Sequence, residues 1–147
     1  MFTQDQKAII CEGMAQALWF TGIYAPEHGK KTPLYETGVY AQKPAMDAFT
    51  PESQKIIRYY LEVFLAKTTI EDLEEFPIES IGFDETTLEL LGRTLAYCIV
   101  GQNAGFFVNL YNPHIVAVNR RMVAAAKSLN PVRAYSTDAK TIHLSYL

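Results

Sequence analysis

The stretch from Leu88 to Val100 is almost wholly apolar: Leu88, Leu91, Leu95, Ile99 and Val100 leave little polar surface on any side of a helix. A helix that is hydrophobic nearly all round has to be enclosed by other elements, so this segment dictates a layered helical body with itself at the centre. Asp84 offers a cap for it. Glu85 and Glu89 lie near its N-terminus, where the helix dipole favours negative charge, and Gly92 and Gly101 allow neighbouring backbones to approach.

Amphipathic segments able to cover such a helix surround it in sequence. Thr3 can cap a helix that buries Ile10, Met14, Ala17 and Leu18, with Trp19 and Phe20 widening the apolar face, and that turns Lys7, Glu12 and Gln16 to water before Gly22. Thr50-Pro51-Glu52 opens a second helix with a cap and a proline at its first position. Its stripe is Ile56, Ile57, Tyr60, Val63, Phe64 and Ala66, opposite Lys55, Arg58 and Glu62, and a short helix follows from Thr69 to Glu75 until Pro77. Asn112-Pro113 repeats the signal for a last helix to about Leu129. There Ile115, Val118, Met122, Ala126 and Leu129 face inward, and Arg120, Arg121, Ala124 and Lys127 outward.

Two regions lack helical periodicity. From Ile23 to Phe49 the chain is punctuated by Pro26, Gly29, Pro33, Gly38 and Pro44 and carries Tyr24, Tyr35, Tyr40 and Phe49; Leu34 to Ala41 is a candidate short strand. In the tail, Val132 to Tyr135 and Ile142 to Tyr146 alternate about a Ser136-Thr137-Asp138 turn. The predicted fold is mainly α: a compact bundle of about four long helices around a central apolar helix, with a short C-terminal β-hairpin, all within a single globular helical domain over 1–147. With 49% hydrophobic and 20% charged residues, the composition is that of a chain able to bury a core.

Location is read from what the chain does not contain. The opening Met-Phe-Thr-Gln-Asp-Gln-Lys lacks the basic flank and apolar run of a signal peptide, and Arg93 and Gln102 interrupt the longest apolar run short of the roughly 18 residues a membrane span needs. The expectation is a cytoplasmic protein without a membrane partner. Cys11 and Cys98 sit in apolar stretches and read as small buried hydrophobes rather than a disulfide or a nucleophile.

Catalytic and metal signatures are not found. His28, His114 and His143 fall in three separate segments, with no pair of histidines or cysteines at metal-binding spacing, so no metal or other cofactor is expected. His143-Leu144-Ser145-Tyr146 has the histidine-x-serine form of two-histidine phosphoesterases, but the required second copy is missing around His114. No nucleophile elbow, phosphate loop or dinucleotide fingerprint occurs. Gln102 and Asn103, between Gly101 and Gly105, place two amides in an apolar run; they mark a helix break, line a small pocket, or reach water.

Charge is the least random feature. Glu71, Asp72, Glu74, Glu75, Glu79, Asp84, Glu85 and Glu89 follow one another with no lysine or arginine between, whereas from Leu90 onward Arg93, Arg120, Arg121, Lys127, Arg133 and Lys140 stand against Asp138 alone. The two regions either neutralise one another on folding or leave an acidic surface that steers a basic partner. The leading expectation is a small non-enzymatic protein-binding regulator, of inhibitor, immunity or adaptor type, using Glu71, Asp72, Glu74, Glu75, Glu79, Asp84 and Glu85. A first alternative is a ligand-binding protein or enzyme whose polar pocket gathers Gln102, Asn103, His114, Tyr35 and Tyr40. A second is nucleic-acid binding through Arg120, Arg121 and Lys127, disfavoured by a formal charge of -3 and by the lack of interleaved aromatics. Trp19 and the many tyrosines leave a homo-oligomer open.

Overall fold

The computed structural model describes residues 2–38, 45–76, 85–102, 105–107 and 112–147. The described chain is mainly α, with helices α1 (Gln4–Phe20), α2 (Pro51–Lys67), α3 (Ile70–Glu74), α4 (Glu85–Ile99) and α5 (Pro113–Lys127). Short strands β1 (Ile23–Tyr24), β2 (Thr32–Pro33), β3 (Val132–Ser136) and β4 (His143–Tyr146) form a small sheet, and 3-10 turns cover Leu34–Glu36 and Ala45–Ala48. No helix among the described residues is long and apolar enough to cross a membrane.

The helix starts follow local chemistry. Thr3 and Gln6 make a reciprocal capping box on α1, and the Thr50, Thr69 and Asn112 side chains each accept a backbone N–H from the first turn of α2, α3 and α5. α4 ends in a Schellman arrangement. Gly101 takes a left-handed φ of 91°, its N–H donates to the Cys98 carbonyl at 3.1 Å, and the Gln102 N–H donates to the Tyr97 carbonyl at 2.9 Å. The glycine there serves the backbone turn, since a Cβ at Gly101 would meet nothing within 4 Å.

α4 is buried on almost every side: Leu88, Leu91, Leu95, Ala96, Cys98 and Ile99 are all inside, and Leu90 is its exposed large hydrophobe. Its closest neighbour is α1, and two glycines account for the intimacy. A Cβ on Gly92 would lie 1.9 Å from the Ile10 carbonyl oxygen, and one on Gly13 would lie 2.1 Å from that of Glu89. Side-chain-free surfaces on both helices thus let the backbones touch, and Ile10, Met14 and Leu18 of α1 complete the dry interior with Phe64 of α2 and Met122 of α5. A ring cluster closes the far end, where Phe106 stacks on Phe64 at 5.6 Å and Phe76 meets Phe106 and Phe107 edge-on.

The sheet order is β2-β1-β3-β4, with β1 parallel to β3 and the other pairs antiparallel. The C-terminal strands are therefore one side of a larger sheet. Leu34 to Ala41, predicted as a strand, is corrected in its described part: Leu34 begins a 3-10 turn, and the strands of that region are Ile23–Tyr24 and Thr32–Pro33, paired across the Pro26 to Gly29 bend. Pro33 at the end of β2 cannot donate to a ladder, which favours this short edge strand followed by a turn.

The outer side of β4 is occupied by the segment entering α2. The Ile142 N–H donates to the Ala48 carbonyl at 2.8 Å, the Thr50 N–H donates to the Ile142 carbonyl at 3.0 Å, and the Leu144 N–H donates to Ser53 Oγ at 3.0 Å. Ser53 is buried, and its hydroxyl also accepts from the Thr50 hydroxyl at 2.8 Å, so the α2 cap and the strand edge share one network. At the turn between β3 and β4, Asp138 Oδ1 accepts from the Lys140 and Thr141 N–H groups and the Ser136 hydroxyl. These bonds hold its carboxyl below the usual range.

Candidate functional site

Helical spacing sets Gln4, Lys7, Ala8, Cys11 and Glu12 on one face of α1, and Gln54, Arg58, Leu61 and Glu62 on one face of α2. The structure turns these faces toward each other. Between them lies a groove of about 590 Å³, within the usual range for small-molecule sites, whose remaining wall is Met46 from the 3-10 turn and Glu89 from α4. Its floor is apolar, made by Ile9, Cys11, Met46 and Leu61, with Cys11 and Leu61 almost fully buried.

Each charged group on the rim has a definite environment. Glu12 Oε1 accepts from the Ala45 N–H, and Oε2 accepts from the Met46 N–H at 3.2 Å, so one carboxylate satisfies the two leading amides of the turn that carries Met46. Lys7 Nζ donates to Glu62 Oε1 at 2.8 Å, bridging the mouth of the groove between α1 and α2. Glu89, mostly buried, accepts from Arg93 at 3.4 Å and from the Gln16 amide at 3.4 Å. Arg58 is exposed at the rim and makes no ion pair among the described residues.

Cys11 is not an activated nucleophile. Burial pushes its thiol up to about 11, an effect that the nearby Arg58 charge only partly opposes, and burial likewise raises Cys98 to about 11; neither cysteine is in a disulfide. Relative to an ordinary thiol, the thiolate population at neutral pH is about a hundredfold lower. Native protein is therefore expected to react with a thiol-specific disulfide reagent at least tenfold more slowly than urea-unfolded protein. Equal rates in the two states would show that the thiols are accessible.

Two residues of the predicted acidic site, Asp72 and Glu75, are engaged by residues of α5. Asp72 is buried and grips Arg121 with two hydrogen bonds, Arg121 Nε to Oδ2 at 2.8 Å and Nη2 to Oδ1 at 2.7 Å. Glu75 Oε1 lies 3.1 Å from His114 Nε2. Glu71 and Glu74 are exposed on α3, Glu85 is the first residue of α4, and Glu79 and Asp84 lie outside the described residues. Two members of the acidic run thus meet residues of α5.

The described residues of the alternative pocket lie on separate elements. Gln102 is exposed at the end of α4, His114 is exposed on α5, and Tyr35 stacks on Phe20 at 5.2 Å beside β2; Tyr40 and Asn103 lie outside the described residues. Arg120 and Lys127 share the exposed side of α5 with Arg121, whose guanidinium is committed to Asp72. His143 stacks on its cross-strand partner Tyr135 at 5.2 Å, an ordinary strand contact. No group of three or more metal-ligating side chains exists among the described residues.

The Arg121 guanidinium holds the Asp72 carboxyl below its usual range, helped by the charge of His114 and the Thr69 hydroxyl. A carboxyl depressed in the folded state contributes stability that is complete above its unfolded value near 3.9 and is lost as pH falls through its folded value. Arg121→Gln is accordingly expected to lower the thermal midpoint at pH 7, with the difference from wild type constant down to about pH 5 and shrinking below about pH 4. A difference that stays constant to pH 2.5 would place the effect of Arg121 in packing rather than charge.

Sequence reasoning missed the groove because it assigned Lys7, Glu12, Arg58 and Glu62 to water-facing sides one helix at a time. The available signal was their shared spacing: two polar faces of similar length, each bordered by apolar residues, on helices of equal length. No family model, curated protein or solved structure matches the chain, so the function of the groove rests on its own chemistry.

Proposed function

We propose that this protein is a small-ligand-binding protein and that its site is the groove between α1 and α2. The observation that carries the reading is the combination of an apolar floor, Cys11 and Leu61, with a rim of polar groups converging from two helices. It takes residues 1–147 as one domain, a bundle enclosing α4 and closed by the C-terminal hairpin, so that the groove is a gap between rigid walls. Burial keeps the Cys11 thiol of its floor protonated, and binding without chemistry is the reading that this lining supports.

Ala8 is exposed at the groove wall, so Ala8→Trp fills the space without entering the core. A fragment library screened by thermal shift is expected to yield ligands that stabilise wild type by several degrees and leave Ala8→Trp unmoved. Ligands whose amide chemical-shift changes cluster away from α1 and α2, or that stabilise both proteins equally, would refute the assignment.

A second reading, protein binding through the acidic segment, is favoured by one specific arrangement. On α3 the carboxylates Glu71 and Glu74 are exposed next to Ile70, whose side chain is itself 55% exposed. Under this reading, Glu71→Lys with Glu74→Lys would abolish a salt-sensitive association while leaving ligand binding in the groove untouched.

A further inference from the structure

The rim charges carry the ligand class one step beyond a generic small molecule, and this step rests on the groove being the binding site. Each carboxylate that lines the groove has donors of its own: Glu12 holds the Ala45 and Met46 amides, Glu62 holds Lys7, and Glu89 holds Arg93 and Gln16. Of the two cations in the lining, Lys7 is committed to Glu62, and Arg58 has no ion pair among the described residues. Arg58 stands four residues before Glu62 and three before Leu61, on the α2 face that forms the wall, so its guanidinium overlooks the apolar floor.

An exposed, unneutralised guanidinium above an apolar trough is complementary to a molecule with an apolar body and an anionic end. Arginine presents a planar fork of donors suited to a carboxylate. We infer that the groove binds a small amphiphilic carboxylate, with its apolar body on Ile9, Met46 and Leu61 and its carboxylate paired with Arg58. A cationic ligand would face Arg58 across the same trough, while the groove's carboxylates are already satisfied by other donors.

The test compares octanoate, octanol and octylamine by isothermal titration calorimetry at low salt, each below its aggregation concentration. Octanoate is expected to bind about tenfold or more tighter than octanol. Arg58→Gln, an exposed change that leaves the fold intact by circular dichroism, should bring octanoate down to the affinity of octanol while leaving octanol unchanged. Glu62→Gln, which frees Lys7, should strengthen octanoate severalfold. Octanol or octylamine binding wild type as tightly as octanoate, with binding lost in Ala8→Trp, would overturn the carboxylate inference and leave the groove reading standing. Silence of all three probes, or binding indifferent to Ala8→Trp, would overturn both.

Discussion

Gly92→Ala is expected to destabilise the protein by at least about 3 kcal/mol, at or beyond the top of the usual range for overpacking. The added methyl would sit 1.9 Å from the Ile10 carbonyl oxygen, and the obstacle is backbone, which cannot rotate away as a side chain can. α1 and α4 would have to separate, opening the most extensive helix contact among the described residues. With total stabilities of natural domains at about 5–15 kcal/mol, such a loss leaves a protein that unfolds at low urea or fails to accumulate. Gly101→Ala supplies the comparison. There a Cβ meets open space and only the left-handed φ of 91° is strained, at about 1–2 kcal/mol. Urea midpoints for the two variants should differ clearly, and a near-native midpoint for Gly92→Ala would mean that the two helices do not touch as described.

Glu12→Ala is expected to have the next largest effect, a loss of about 2–4 kcal/mol. It removes two charge-assisted hydrogen bonds and leaves the Ala45 and Met46 amides without their acceptor in a partly buried turn. Glu12→Gln, which keeps one acceptor oxygen, should lose roughly half as much. Hydrogen exchange provides the local readout: in Glu12→Ala the amides of Ala45 and Met46 should exchange far faster while those of Leu91 and Leu95 track global stability. The turn bears Met46, so ligand affinity in the groove should fall together with amide protection. Unchanged protection at Ala45 would show that the turn is held by something other than this carboxylate.

Elements with a local cause were legible in the chain, and those fixed by distant partners were not. Thr3, Thr50 and Asn112 announced helix starts because a cap needs only residues two or three positions on, and the structure places α1, α2 and α5 directly after them. The central burial of α4 was readable from the absence of a polar side, and Gly92 from its place on that helix. By contrast, the parallel pairing of Ile23 with Tyr135 joins strands 112 positions apart in sequence, and a two-residue strand leaves no periodicity to read. The same limit hid the candidate site. Lys7 and Glu62 are each indistinguishable from a solvated surface charge until α1 and α2 are set side by side. Within the acidic run, Asp72 meets Arg121 and Glu75 meets His114, contacts that no spacing rule relates.

The closure of the sheet margin bears on how copies of this molecule meet. At the start of β4, the hydrogen-bonding groups of Ile142, just before the strand, and the N–H of Leu144 are already taken by Ala48, Thr50 and Ser53, and at the other border β2 offers only two residues, one of them proline. Over Ile142 and Leu144 a foreign strand would have to displace the entrance to α2 before it could pair, which blunts this stretch of the edge as a template. Ser53→Ala, which removes the buried acceptor of the Leu144 N–H, should weaken that guard, turning a folded protein into one that slowly recruits its own kind, as aggregation followed by light scattering would show.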